Sequence, residues 1–147
     1  MRLWRISDFA DLSGQGGLVA PARWHSVARP LVYLADHPAS ALLEVLVHFE
    51  VDREDWPDSY QLLMVDLPDE VAFENAPPLS VDWRVEAGET QSIGNQWLDA
   101  SRTALLRVPS AIVPYTWNWL LNRAHSDSNR AHIVEAVRAP FDTRLFR

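Results

Sequence analysis

Leu31-Val32-Tyr33-Leu34-Ala35-Asp36-His37-Pro38-Ala39-Ser40-Ala41-Leu42-Leu43-Glu44-Val45-Leu46-Val47-His48 is the stretch whose reading decides the fold. Leu31 to Ala35 is a short run of branched and aromatic residues, which reads as a strand. Asp36-His37-Pro38 then supplies a helix start. Proline is tolerated in a first turn because its missing N–H would have no intrahelical partner there. The helix is expected from about Ala39 to Glu50. Its apolar side chains cover most of the circumference, and Ser40, Glu44 and His48, four apart, share one narrow polar face.

Outward from that strand–helix pair, the chain reads as short elements punctuated by proline. Leu3 to Ile6 forms a first strand, and Ser13-Gly14-Gln15-Gly16-Gly17 a turn-rich loop leading into Arg23. Tyr60 to Leu67 is a strand stopped by Pro68-Asp69, and an irregular stretch surrounds Ala76-Pro77-Pro78. A helix is expected from Ile93 to about Ala104, with Gly94 weakening its start. Strand candidates Ala104–Val108 and Ala111–Val113 flank Pro109-Ser110. Thr116 to Asn122 reads as a helical turn and His132 to Val137 as a late strand. Long helices and strands do not alternate regularly, so the fold class is α+β rather than doubly wound. At 147 residues the chain is most simply one domain, 1–147. Gly-x-Gly-x-x-Gly and a phosphate loop ending in Gly-Lys-Ser/Thr are both absent from the sequence.

Composition narrows the function classes. With 48% apolar residues a packed core is expected. Without cysteine there is neither a disulfide framework nor a thiolate nucleophile. All 13 basic side chains are arginine, which excludes lysine Schiff-base chemistry. A net charge of -7 disfavours general nucleic-acid binding, but suits a local arginine pocket for a small anion or a basic protein partner. The start, Met1 to Asp8, has no apolar leader-like run, and no stretch approaches membrane-spanning length. The expectation is a soluble cytoplasmic protein that binds neither membrane nor nucleic acid.

Four residues carry candidate chemistry. Glu44, between Leu43 and Val45, either faces solvent or lines a cavity. In a cavity its carboxylate could accept hydrogen bonds from ribose hydroxyls and stabilise an oxocarbenium cation. Arg23 follows the glycine-rich loop and precedes Trp24; it is either a surface guanidinium packed on tryptophan or a planar fork for a diphosphate. Tyr33 suits a core residue with a satisfied hydroxyl, or a ring stacked on a flat ligand. Ser110, between Pro109 and Pro114, is either a turn-capping hydroxyl or part of the same site, and no Gly-x-Ser-x-Gly surrounds it. Together, arginine, tyrosine and an oddly placed glutamate suit a nucleotide such as NAD. The five histidines have neither His-Glu-x-x-His nor compact ligand spacing, so no metal site is expected.

Blocks along the chain resemble the RES-domain toxins of bacterial Xre–RES toxin–antitoxin pairs. They are Leu3-Trp4-Arg5-Ile6, Arg23-Trp24, Pro30 to Tyr33, Pro38 to His48, Thr90 to Gly94, Arg107 to Ala111, Trp117 to Asn122 and Phe141 to Phe146. The resemblance implies a fold like that of ADP-ribosyltransferases, with small twisted mixed β-sheets and flanking helices. It implies Arg23, Glu44 and Ser110 as the arginine, glutamate and serine of the family name. Tyr33, and more weakly Arg5 and Asn122, join them as the residues that bind NAD, here a substrate rather than a cofactor. It further implies a helix-turn-helix antitoxin of the Xre type and a homodimer within the complex. The acceptor stays open between water, phosphate and a protein side chain, and an inactive antitoxin-holding module is the alternative from another class. The chain departs from the family pattern at Ala22 and Ala28, where glycine is common, and at Arg123, where proline often follows the asparagine.

Overall fold

The computed structural model describes residues 1–49 and 52–146. Among these residues seven strands form one mixed sheet: β1 Arg2–Ile6, β2 Leu31–Ala35, β3 Ser59–Asp66, β4 Phe73–Asn75, β5 Leu105–Pro109, β6 Trp117–Asn122 and β7 His132–Pro140. Their order is β4-β5-β6-β2-β1-β3-β7, antiparallel throughout except for the parallel β4–β5 pair. The α+β class holds, but one continuous sheet replaces the expected small ones, because β1 pairs with both β2 and β3. Among the described residues three α-helices accompany it: α1 Gln15–Val19, α2 Pro38–His48 and α3 Ala87–Ala100.

Two apolar cores follow from period-two side-chain alternation. Val32, Leu34, Leu105, Trp119 and Leu121 pack with Leu3, Leu63 and Val65. Leu31, Leu106, Val108 and Leu120 pack instead with Trp24, Trp83, Trp97 and Leu98. The central strands are therefore buried on both faces and read as continuous apolar runs.

That double burial explains the largest correction. Thr116–Asn122 is expected as a helical turn, yet Trp117–Asn122 is a central strand between β5 and β2. Ala111–Val113 is no strand. It belongs to a loop closed by the Ser110 N–H on the Thr116 carbonyl at 2.8 Å, with the Ser110 hydroxyl accepting from the N–H groups of Ile112 and Val113. Local side-chain capping there outcompetes ladder pairing.

Helix α3 starts six residues before the expected Ile93 and ends at Ala100, where Ser101 takes a left-handed φ of 47°. Gly94 does not weaken its start. It sits mid-helix, where an added Cβ would lie 1.6 Å from the Trp24 carbonyl oxygen. Part of the expected Ser13–Gly17 loop is the single turn of α1, entered through Gly14 at φ 76°. Helix α2 starts as expected: His37 Nδ1 caps the Ala39 N–H at 3.1 Å and Pro38 occupies the first turn. It ends at His48, with Phe49 extended as its C-cap, short of the expected end at Glu50, a residue that itself lies outside the described ones.

Candidate active site

Helix α2, strands β1 and β2, the Pro21–Trp24 turn and the residues around Ser110 enclose a cavity of about 580 Å³. Among the described residues lining it, Glu44 is the one carboxylate, and it shares the cavity wall with Arg5, Arg23 and His48. Helix α2 packs on β1 and β2, and of its polar face Glu44 and His48 line the cavity, Glu44 mostly buried and His48 still largely open to solvent, while Ser40 does not line it.

Glu44 is held on one oxygen. Its Oε1 accepts from the Asn118 amide at 2.7 Å and from the Ser110 hydroxyl at 3.2 Å. His48 Nε2 lies 3.9 Å from Oε2. Ser110 is buried and does not itself line the cavity; it acts on Glu44 from behind.

Arg23 lies in a tight turn closed by the Ala22 N–H on the His25 carbonyl at 3.0 Å. Its guanidinium donates to the Arg84 carbonyl at 3.1 Å, lies 5.9 Å from the Trp83 ring centre and lines the cavity. The aromatic support expected from Trp24 comes instead from Trp83, and the guanidinium is left lining the cavity. From below, the Thr90 hydroxyl donates to the Arg23 carbonyl at 2.6 Å and the Gln91 amide to the Ala22 carbonyl at 2.9 Å. Among the described residues, the non-glycine positions with left-handed φ are Ser101 and Tyr115. Ala22 and Ala28 therefore occupy backbone that any residue adopts, and Arg23 reaches the cavity.

Tyr33 presents its ring to the cavity while its hydroxyl is engaged elsewhere. The hydroxyl accepts the Trp24 N–H at 3.3 Å and lies 2.8 Å from Nδ1 of the buried His25, whose Nε2 donates to the Gly17 carbonyl at 3.2 Å. Burial pushes the Tyr33 hydroxyl well above its ordinary value, so it remains a phenol. Tyr33 thus also braces the Arg23 turn, which the strand pattern gave no means of seeing.

Arg5 lines the cavity from β1. Burial lowers its guanidinium below the usual value, partly offset by Asp11. Asn122 is not brought into the cavity. It is buried at the other end of β6, where its amide donates to Ser101 at 3.3 Å and its carbonyl caps the Ala124 N–H at 3.0 Å. Arg123 uses the backbone N–H that a proline would lack to bond the Pro30 carbonyl at 2.9 Å.

Sequence reasoning missed Asn118, His25 and Thr90. For Asn118 a signal existed: read as a strand, Trp117–Asn122 puts Asn118 and Leu120 on one face, and a polar residue there resembles Glu44 in α2. Among the described residues no three metal-ligating side chains converge.

The RES domain profile matches residues 2–142. The chain is 47% identical over 146 residues to Toxin Res of Pseudomonas putida strain KT2440, covering 99% of this chain and 100% of that protein. It is 38% identical to the Prs ADP-ribosylating toxin of Sphingobium sp. strain YBL2, over 98% of this chain and 96% of that one. The M. tuberculosis MbcT–MbcA toxin–antitoxin complex contains a chain of similar fold, with a TM-score of 0.76 at 17% identity over 95% of this chain and 84% of that one. With its profile spanning nearly the whole sequence and its relatives matched end to end, the chain belongs to the RES domain family of toxins.

Proposed function

We propose that this RES-family toxin cleaves the nicotinamide–ribose bond of NAD. The observation that carries the reading is Glu44, the one carboxylate among the described residues lining a cavity that also presents arginines, Asn118, aromatic and apolar side chains. One of its oxygens is fixed by two donors, which leaves the other to face a ligand. Arg23 and Arg5 suit the diphosphate, and the Tyr33 ring suits the nicotinamide or its ribose. As the C1′–N bond breaks, both electrons pass to the nicotinamide nitrogen and the base departs neutral, so no general acid is required. The cation left at C1′ is stabilised by the preorganised Glu44 carboxylate until an oxygen nucleophile adds.

A second acceptor is favoured by one observation, the 38% identity to a protein named as an ADP-ribosylating toxin. In that reading a protein side chain replaces water or phosphate at C1′. The partner of either activity is a helix-turn-helix antitoxin of the Xre type, a reading supported by the fold shared with a chain solved in a toxin–antitoxin complex.

The test is product analysis. Protein freed of antitoxin and supplied with NAD is expected to release nicotinamide, and Glu44→Gln to lower the rate by roughly 100-fold or more, the scale of losing a preorganised charge. Turnover by the variant at the parental rate removes Glu44 from the mechanism. Label from adenine-labelled NAD divides the acceptors: free ADP-ribose or its phosphate on one side, labelled protein on the other.

A further inference from the structure

Asn118 is the polar residue of the site that neither the family name nor the sequence pattern singles out. It sits mid-sheet, opposite Ala35 on β2 and Val108 on β5. Neither neighbour carries a side-chain hydrogen-bond donor. Its Nδ2 gives Glu44 Oε1 a 2.7 Å bond, the shorter of the two that hold this oxygen. Its Oδ1 is buried without a hydrogen-bond partner, the one such side-chain atom among the described residues.

An amide has two orientations. Turned the other way, Asn118 would direct its carbonyl oxygen at the Glu44 carboxylate, two acceptors in contact. The orientation that serves Glu44 is therefore the one that leaves Oδ1 buried and unpaired. Buried acceptors are ordinarily paired, and stranding one is unfavourable. A residue chosen for stability here would be apolar, like its cross-strand neighbours.

We propose that Asn118 is the positioning residue of the proposed active site: it fixes the Glu44 carboxylate for catalysis at the expense of its own unpaired carbonyl. Ser110 completes the clamp. The Ser110 hydroxyl is itself set by the Ile112 and Val113 N–H groups, so the two donors reach Oε1 from rigid supports on β6 and on the 110–116 loop. With Oε1 fixed from two sides, the carboxylate plane is set before substrate arrives, which is the condition for electrostatic preorganisation.

This inference rests on the NAD-cleaving reading of Glu44, and the experiment separates the two. Asn118→Leu and Asn118→Ala are compared with Glu44→Gln for nicotinamide release, KM for NAD and melting temperature. For the Asn118 variants kcat is expected to fall roughly ten- to hundred-fold, the scale of one lost hydrogen bond to a charged group. KM should stay within about two-fold of the parent, and Asn118→Leu should melt no lower than the parent. A merely structural asparagine gives the reverse: a lower melting temperature with kcat intact. That result overturns the proposal, as does a kcat within two-fold of the parent in either variant while Glu44→Gln is inactive. If Glu44→Gln itself retains full activity, the NAD-cleaving reading fails first, and the role of Asn118 with it.

Discussion

Thr90 on α3 donates its hydroxyl to the carbonyl of Arg23 at 2.6 Å, which ties the helix to the turn that carries the candidate diphosphate ligand. Thr90 is fully buried and its hydroxyl also lies 3.1 Å from the Ala87 carbonyl. Thr90→Val keeps the shape and removes the donor. The expected outcome is a loss of about 1–3 kcal/mol of stability in urea unfolding, because the Arg23 carbonyl loses a buried partner. KM for NAD is expected to rise more than kcat falls, since the variant loosens binding and leaves the Glu44 clamp intact.

Gly94 marks where the same helix touches the turn most closely. A Cβ there would stand 1.6 Å from the Trp24 carbonyl oxygen and 2.7 Å from its carbon, both backbone atoms that cannot swing aside. Gly94→Ala is expected to destabilise by about 1–3 kcal/mol or more, despite alanine's better helix propensity. Thermal unfolding and an NAD titration on the variant check this: an unchanged melting temperature would mean that α3 and the turn are not packed as described.

Tyr33→Phe keeps the ring in the cavity and removes the hydroxyl that receives the Trp24 N–H and meets His25. The expected loss at neutral pH is about 1–3 kcal/mol. Its pH dependence has a definite sign. Burial raises the folded hydroxyl above its ordinary value of about 10. Its contribution is therefore fully present below that pH and declines as pH rises beyond it, where the unfolded phenol ionises first. The stability gap between parent and variant should narrow above about pH 10, as urea unfolding at stepped alkaline pH would register.

Acid should act in the opposite sense through exposed carboxylates. Asp66, hydrogen-bonded to Arg2, and Asp142, hydrogen-bonded to Arg144, are both held below their ordinary values. Such groups contribute stability above the usual carboxylate range, and the contribution is lost as pH falls through their lowered folded values. Melting temperature is expected to hold from pH 7 to about 5 and then decline below about 4. High salt should shrink that decline, because both pairs are solvent-accessible.

How much of this was legible beforehand depended on where each signal lay. Strand β2 and the start of α2 were readable because local chemistry fixes them: branched residues, then His37 as cap and Pro38 in the first turn. Glu44 was legible for a related reason, since a carboxylate on a nearly all-apolar helix has few places to go. Strand β6 was not, because burial on both faces erases the alternation that distinguishes a strand from a helical turn. With it went Asn118, whose partner lies 74 residues away in sequence. Asn122, a weaker candidate that came with the family resemblance and not from a local pattern, lies at the far end of the strand, capping Ala124. The support of Arg23 by Thr90 and Tyr33 depends on two separate segments converging, which no local pattern encodes.

The pairing of β2 with β6 sets Ala35 beside Asn118 and Tyr33 beside Leu120. Arg23, Tyr33 and Glu44 come from the first third of the chain, while both donors to Glu44 come from the last. Closing so long a loop is entropically expensive and slow relative to local structure. During synthesis, therefore, a ribosome-bound chain carries the glutamate but not the clamp that fixes it, until β6 has emerged. On the proposed mechanism, a chain still lacking β6 is therefore expected to be unable to cleave NAD, whatever its earlier segments have already folded into.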